Sequence, residues 1–435
     1  TTAASEEPLA EIRRKRRNTH QRPPGRPSGR RRVGLALAGG GPLGGIYEVG
    51  ALLALADSLE GIDFTDLDAY VGVSSGGFVA AALANGISPA QMYRLFIDDG
   101  VDAALKPELF LRPALREFAH RARTVPRLAW RAALQYAKSP LRRGIWSSLA
   151  TLSRAMPIGV FDNGAIDAFL SRLFAANGRS NDFRALRHKL FLIATHLDSG
   201  APVTFGAPGL DHVPISRAIE ASSALPGLFP PVTIDGEQYV DGALNKTLHA
   251  SVALDEGVDL LLCVNPLVPF DAGRAGARRP ALPSIAKLEQ GGLPMVLAQT
   301  FRAIIHSRMK TGMEKYRRDY PHADVLLFEP AREDSDIFFA SIFSYSQRKR
   351  LCAVAFAATR DNLRERAQEL APVFARNGIR LRADRVSDAA RTIAAALDDP
   401  RPLDTDPRKV RDVHRTKREL THALDVLERW LVTAA

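Results

Sequence analysis

The sequence predicts an α/β fold, a mainly parallel central sheet with helices on both faces, from three observations. Short apolar strand-like runs recur along the chain, helical or irregular stretches long enough for crossovers separate them, and the first two runs each end in a glycine-rich turn that opens a helix. With 435 residues, of which 46% are hydrophobic, the chain can bury a large core, and no internal repeat interrupts it. One main domain with additions is the expected organisation.

Val33 to Ala38 is the first strand candidate, and it runs directly into Gly39-Gly40-Gly41-Pro42-Leu43-Gly44-Gly45. A helix should start there, because Ile46, Val49, Leu52, Leu53, Leu55 and Ala56 fall at helical spacing. Glycines ahead of a helix leave backbone N–H groups free to point at an anion, with the helix dipole behind them. Such a loop can serve as an oxyanion hole. The same residues also fit G-x-G-x-x-G at Gly39, Gly41 and Gly44, with Asp57, Glu60 or Asp63 near the distance of a ribose-binding acid, so a dinucleotide-binding reading competes.

The second strand, Asp68 to Val73, leads into Gly72-Val73-Ser74-Ser75-Gly76 and then a run of small residues. Ser74 reads as a strand-to-helix elbow serine: Gly72 and Gly76, two residues either side, let the backbone fold sharply and leave room for a substrate carbonyl. An ordinary glycine-rich turn has the same composition. Lys189 to His196 is the third strand, and Gln238 to Ala243 then puts Asp241 at the end of a short β-like run, followed by Gly242 and Ala243. A base presented this way can reach a serine proton, although an Asp-Gly turn would look alike. Asp259 to Asn265 and Asp324 to Phe328 complete the strands. Gln347 to Ala375 is expected to be one amphipathic helix, and Leu420, Leu424, Leu427 and Leu431, with Trp430, mark another in the last thirty residues.

In this order, the glycine loop, the serine elbow and Asp-Gly-Ala resemble the patatin-like phospholipases, serine acyl hydrolases that use a Ser-Asp dyad without histidine. Ala194-Thr195-His196-Leu197-Asp198-Ser199-Gly200 and the segment from Ile219 to Val232, with Ala221-Ser222-Ser223-Ala224-Leu225-Pro226, extend the similarity over about residues 33 to 265. The resemblance implies a three-layer α/β/α domain, a nucleophile at Ser74, a general base at Asp241, and oxyanion donors among Gly39, Gly40, Gly41 and Gly44. It implies no cofactor and no metal. Leu43 stands where many members carry a basic residue, so that charge has no counterpart there. A Ser-Asp-His triad is the alternative chemistry, with His196, His212 and His249 in the right half of the chain. The implied activity is cleavage of fatty acyl esters of phospholipids or lysophospholipids; a neutral-lipid or general carboxylesterase, and a catalytically silent membrane-associated scaffold, are the alternatives.

Charge is unevenly spread. Residues 1–32 hold ten Arg and Lys against three acids, interleaved with prolines, and read as a basic disordered arm. Residues 101–160 add a basic helical insertion or cap, carrying Trp130 and Trp146 among arginines, suited to an anionic bilayer. The expected organisation is therefore the arm, a catalytic domain over 33–330 and a helical C-terminal region over 331–435. The expected partners are an acyl-ester lipid and an anionic membrane surface, with no specific nucleic acid, since no recognition module is evident. Two cysteines without partners or metal-ligand spacing suit a reducing compartment, so the expected location is cytoplasmic, at the inner face of a membrane.

Overall fold

A computed structural model describes residues 31–98, 130, 159–176, 178–246, 248–269, 271, 292–332 and 347–397. The basic arm before Arg31, nearly all of the basic insertion and the helix expected in the last thirty residues lie outside the described residues.

β1 (Val33–Leu37) and β3 (Ala69–Val73) are buried at every position, as parallel strands covered on both faces require, and they pair with Leu37 opposite Gly72. β4 (Lys189–His196) continues the parallel register on one side, with Val73 opposite Ile193. β8 (Leu260–Val264) and β9 (Asp324–Phe328) extend it on the other. Beyond β4 the sheet turns antiparallel, through β7 (Glu237–Asp241) and β6 (Val232–Ile234), while β5 (Pro202–Phe205) also pairs with β4. All five sequence-predicted strands are present. The short antiparallel ones were legible only in part, at Gln238 to Asp241.

Alternate residues of each central strand feed two cores. Leu35, Leu37 and Tyr70 pack toward α1 (Gly41–Ser58) and α2 (Ser75–Ala84), whereas Ala36, Val71 and Cys263 pack toward α6 (Ala250–Asp255) and α7 (Gly292–Asp319). This is the three-layer α/β/α arrangement. Smaller helices α3 (Pro89–Met92), α4 (Gly164–Phe174) and α5 (Ile215–Ser222) lie between these elements in sequence.

The helix expected over Gln347 to Ala375 is two helices, α8 (Arg348–Glu365) and α9 (Ala367–Arg376). The break falls at Arg366, whose guanidinium reaches the Leu327 carbonyl of β9 at 3.1 Å. Leu351, Phe356, Leu363, Leu370 and Phe374 from these helices belong to the same core as Leu52 and Leu55 of α1. A two-residue strand, β10 (Arg380–Leu381), pairs with β2 (Leu59–Glu60) just after α1. The last described helices, α10 (Ala383–Ser387) and α11 (Ile393–Leu397), close that side, where Arg391 clamps Asp57 at 2.5 and 2.6 Å. Among the described residues, no helix is long and apolar enough to cross a membrane.

Candidate active site

β1 and β3 are neighbours in register, so the turns that follow them emerge side by side at the same edge of the sheet. Ser74 occupies the turn after β3 with φ 52° and ψ −123°. Among the described residues only Asp235 shares a positive φ without being glycine. A serine is held there at a cost, and such strain persists only where the surroundings dictate it. The flanking glycines supply the room. A Cβ on Gly72 would lie 2.5 Å from the Gly77 Cα, and one on Gly76 would lie 2.7 Å from the Ala38 carbonyl oxygen. The elbow therefore closes on itself and on the end of β1.

The turn after β1 lies against it. A side chain at Gly39 would meet the Cβ atoms of both Ser74 and Ala243, and one at Gly40 would meet Pro266 at 2.6 Å. Gly40 donates its N–H to the Ser75 hydroxyl at 3.1 Å, so this amide, expected from the sequence to be an oxyanion donor, is already engaged. Gly44 donates to the Gly40 carbonyl at 3.1 Å, inside the first turn of α1, so it is withdrawn from the set of oxyanion donors expected from the sequence. Among the described residues the amides of Gly39 and Gly41 meet no acceptor, and Gly41 is the first residue of α1.

Asp241 arrives from the other side, at the end of β7 and opposite Ala194 of β4. It is 3% exposed and Ser74 6%. Its amide donates to the Ala224 carbonyl at 3.0 Å and its own carbonyl accepts from the Thr195 hydroxyl at 3.1 Å. One carboxylate oxygen accepts from the Ala243 amide at 2.8 Å, capping the short turn that follows. Burial pushes the carboxyl up to about 6, against the opposing pull of the Ala243 amide and of the nearby Ser74 side chain. The Ser74 side chain, the Asp241 carboxyl and the Gly39 backbone thus converge on one spot.

Most of the competing candidates are occupied elsewhere. His196 bonds Glu237 and Ser199, and His212 bonds Asp235. His249, at the start of α6, is buried, and burial depresses its pKa to about 4. None of these contacts reaches the Ser74 or Asp241 side chain. Of the three candidate ribose acids, Asp57 is paired with Arg391, Glu60 with Arg380, and Asp63 caps its own turn through the Thr65 amide at 2.8 Å. Among the described residues, no cluster of three or more His, Cys, Asp or Glu could hold a metal ion.

Residues 35–254, just over half of the chain, match the Patatin family, described as patatin-like phospholipase. The chain belongs to the patatin-like phospholipase family. The matched span takes in the glycine loop, Ser74 and Asp241. Among solved structures, this patatin-like chain is similar to VipD from Legionella pneumophila, with 15% identity, a TM-score of 0.32, and coverage of 74% of this chain and 66% of that one. It is also similar to the type III effector protein ExoU, with 20% identity, a TM-score of 0.31, and coverage of 77% and 53%. The alignments thus span between about half and two thirds of those proteins' own lengths.

Sequence reasoning did not single out three contributors here. Ser75 holds the Gly40 amide, Thr195 holds the Asp241 carbonyl, and Ser222 accepts the Ser74 amide at 2.8 Å. Ser222 and Thr195 sit in segments quoted for the family resemblance, but no spacing rule says where their hydroxyls point.

Proposed function

We propose that this patatin-like protein is a serine lipid acyl hydrolase of phospholipase A or lysophospholipase type, working through a Ser74–Asp241 dyad. The observation that carries the reading is the buried Asp241 carboxyl beside Ser74. A carboxylate raised to about 6 remains mostly ionised at neutral pH, yet accepts a proton more readily than an ordinary surface aspartate.

Asp241 takes the Ser74 proton as Oγ attacks the ester carbonyl. The oxyanion that forms faces the glycine loop, where the Gly39 and Gly41 amides are the donors. Collapse expels the alcohol, which leaves with the proton held on Asp241, and the acyl group stays on Ser74. Water, deprotonated by Asp241, then releases the fatty acid and restores the hydroxyl. Each step needs only groups of this chain, the substrate and water.

The partners follow from the same reading: an acyl-ester lipid, and the anionic membrane surface that presents it at the cytoplasmic side. The basic arm would supply the attraction. Its last residues are fixed, Arg32 donating its amide to Asp259 at 2.8 Å and its guanidinium to the Glu256 carbonyl at 2.6 Å. These contacts lie at the start of β1, the sheet edge opposite Ser74.

Fluorophosphonate labelling, run beside fatty-acid release from mixed phospholipid vesicles, tests the function. The wild type should label and release fatty acid, whereas Ser74→Ala and Asp241→Asn should do neither while remaining folded. Labelling with release only from soluble or neutral-lipid esters would move the assignment to a carboxylesterase. No labelling of folded wild type would favour a silent scaffold.

A further inference from the structure

We propose that Ser222 is a positioning residue for the nucleophile turn, its hydroxyl holding the Ser74 backbone in the conformation from which Oγ attacks. This rests on the role given to Ser74 above.

Ser222 is the last residue of α5, wholly buried, and 148 positions away from Ser74 in the chain. Its hydroxyl accepts the Ser74 N–H at 2.8 Å and donates to the Ile193 carbonyl at 2.6 Å. A hydroxyl carries one proton, a carbonyl only accepts and an amide N–H only donates, so the rotor has a single satisfied orientation. Ile193 lies opposite Val73 in the sheet, and its neighbour Ala194 lies opposite Asp241. Ser222 therefore ties the strained turn to the strand that also sets the height of Asp241.

Two residues further on, the Ala224 carbonyl accepts the Asp241 amide at 3.0 Å. The C-terminal end of α5 thus bonds the backbones of both dyad members. The arrangement also divides labour among the amides. With its N–H engaged by Ser222, Ser74 has no backbone donor of its own to offer an oxyanion.

Loss of the hydroxyl would leave a buried N–H without an acceptor at a residue whose φ is already unfavourable. The turn would relax, and small displacements of an attacking atom are costly in rate. Ser222→Ala is therefore expected to lower kcat per active site by about ten- to a hundredfold, with KM little changed.

The experiment measures hydrolysis of a chromogenic ester by the full chain, with fluorophosphonate titration counting competent sites. Hydrogen exchange of the peptide spanning residues 70 to 78 and a pH profile accompany it. The expected result is a lower kcat per titrated site, faster exchange at the elbow and an unshifted acid limb, because Asp241 is untouched. Ser222→Cys, similar in shape but a weaker donor and acceptor, should fall between the two and carries the test if the alanine variant fails to fold. A merely structural serine would reduce the number of titrated sites and leave kcat per site unchanged, and that result overturns the proposal. A wild type unlabelled at Ser74 removes the functional reading itself, and the proposal with it; the two failures are distinguished by the wild-type lane.

Discussion

A Cβ built on Gly39 would stand 3.2 Å from the Cβ of Ser74, and 3.1 Å from that of Ala243. The missing side chain of one residue is thus the space in which the turns after β1, β3 and β7 meet. Gly39→Ala keeps the backbone donor but must move it by a few tenths of an ångström. We expect kcat to fall by at least about tenfold, because an oxyanion donor acts through its exact placement. Steady-state kinetics beside far-ultraviolet circular dichroism would check this; undiminished turnover would mean that the crevice has slack.

Ser74 gives a stability prediction distinct from the activity one. Ser74→Ala and Ser74→Gly both remove the hydroxyl, but only glycine adopts a φ of 52° without steric penalty. The glycine variant should be the more stable of the two by about 1 kcal/mol, read as a higher Tm, with both inactive. Equal melting temperatures would show that the elbow stores no strain.

Asp241 sets the pH response. Its carboxyl is raised from the ordinary 3.8 to about 6, chiefly by burial, so the folded protein holds a proton there that the unfolded chain has lost. The sign follows directly: the stability contributed by the protonated acid is complete below 3.8 and is lost as pH rises to about 6, a swing of roughly 3 kcal/mol. Activity runs the opposite way, rising through about 6 as the base ionises. Asp241→Asn, which cannot titrate, should lack the Tm decline over that window and melt above the wild type at neutral pH. Parallel pH–Tm curves for the two proteins would remove burial as the cause.

Much of this was legible because of where the residues sit. β1, β3, β4 and β8 are covered on both faces and so read as continuous apolar runs, and the serine elbow announces itself through Gly72 and Gly76. β6 and β5 are three and four residues long, too short for any periodicity to register. Gly44 was misassigned because the spacing of glycines does not say at which one the helix begins; α1 starts at Gly41, so the Gly44 amide is already bonded within it. The Ser222–Ser74 bond joins segments 148 positions apart, and only the folded sheet brings them together.

The C-terminal helices provide the last prediction, through Gly50 in the middle of α1. A Cβ there would lie 2.5 Å from the Cys352 carbonyl oxygen and 2.8 Å from the Ala355 Cβ, both on α8. Two helix backbones cross at that point, so the overlap cannot be relieved by rotating a side chain, and one helix must give way. α1 is held by the sheet and by α2, and its first turn carries the glycine loop, whereas α8 lies outside it. Gly50→Ala should therefore push α8 outward and leave α1 in place. The expected cost is about 1–3 kcal/mol, seen as a lower Tm and faster proteolysis within residues 347–397, with kcat per folded molecule retained. If kcat falls in step with stability, then α1 has moved instead, and the C-terminal helices help to set the position of the glycine loop.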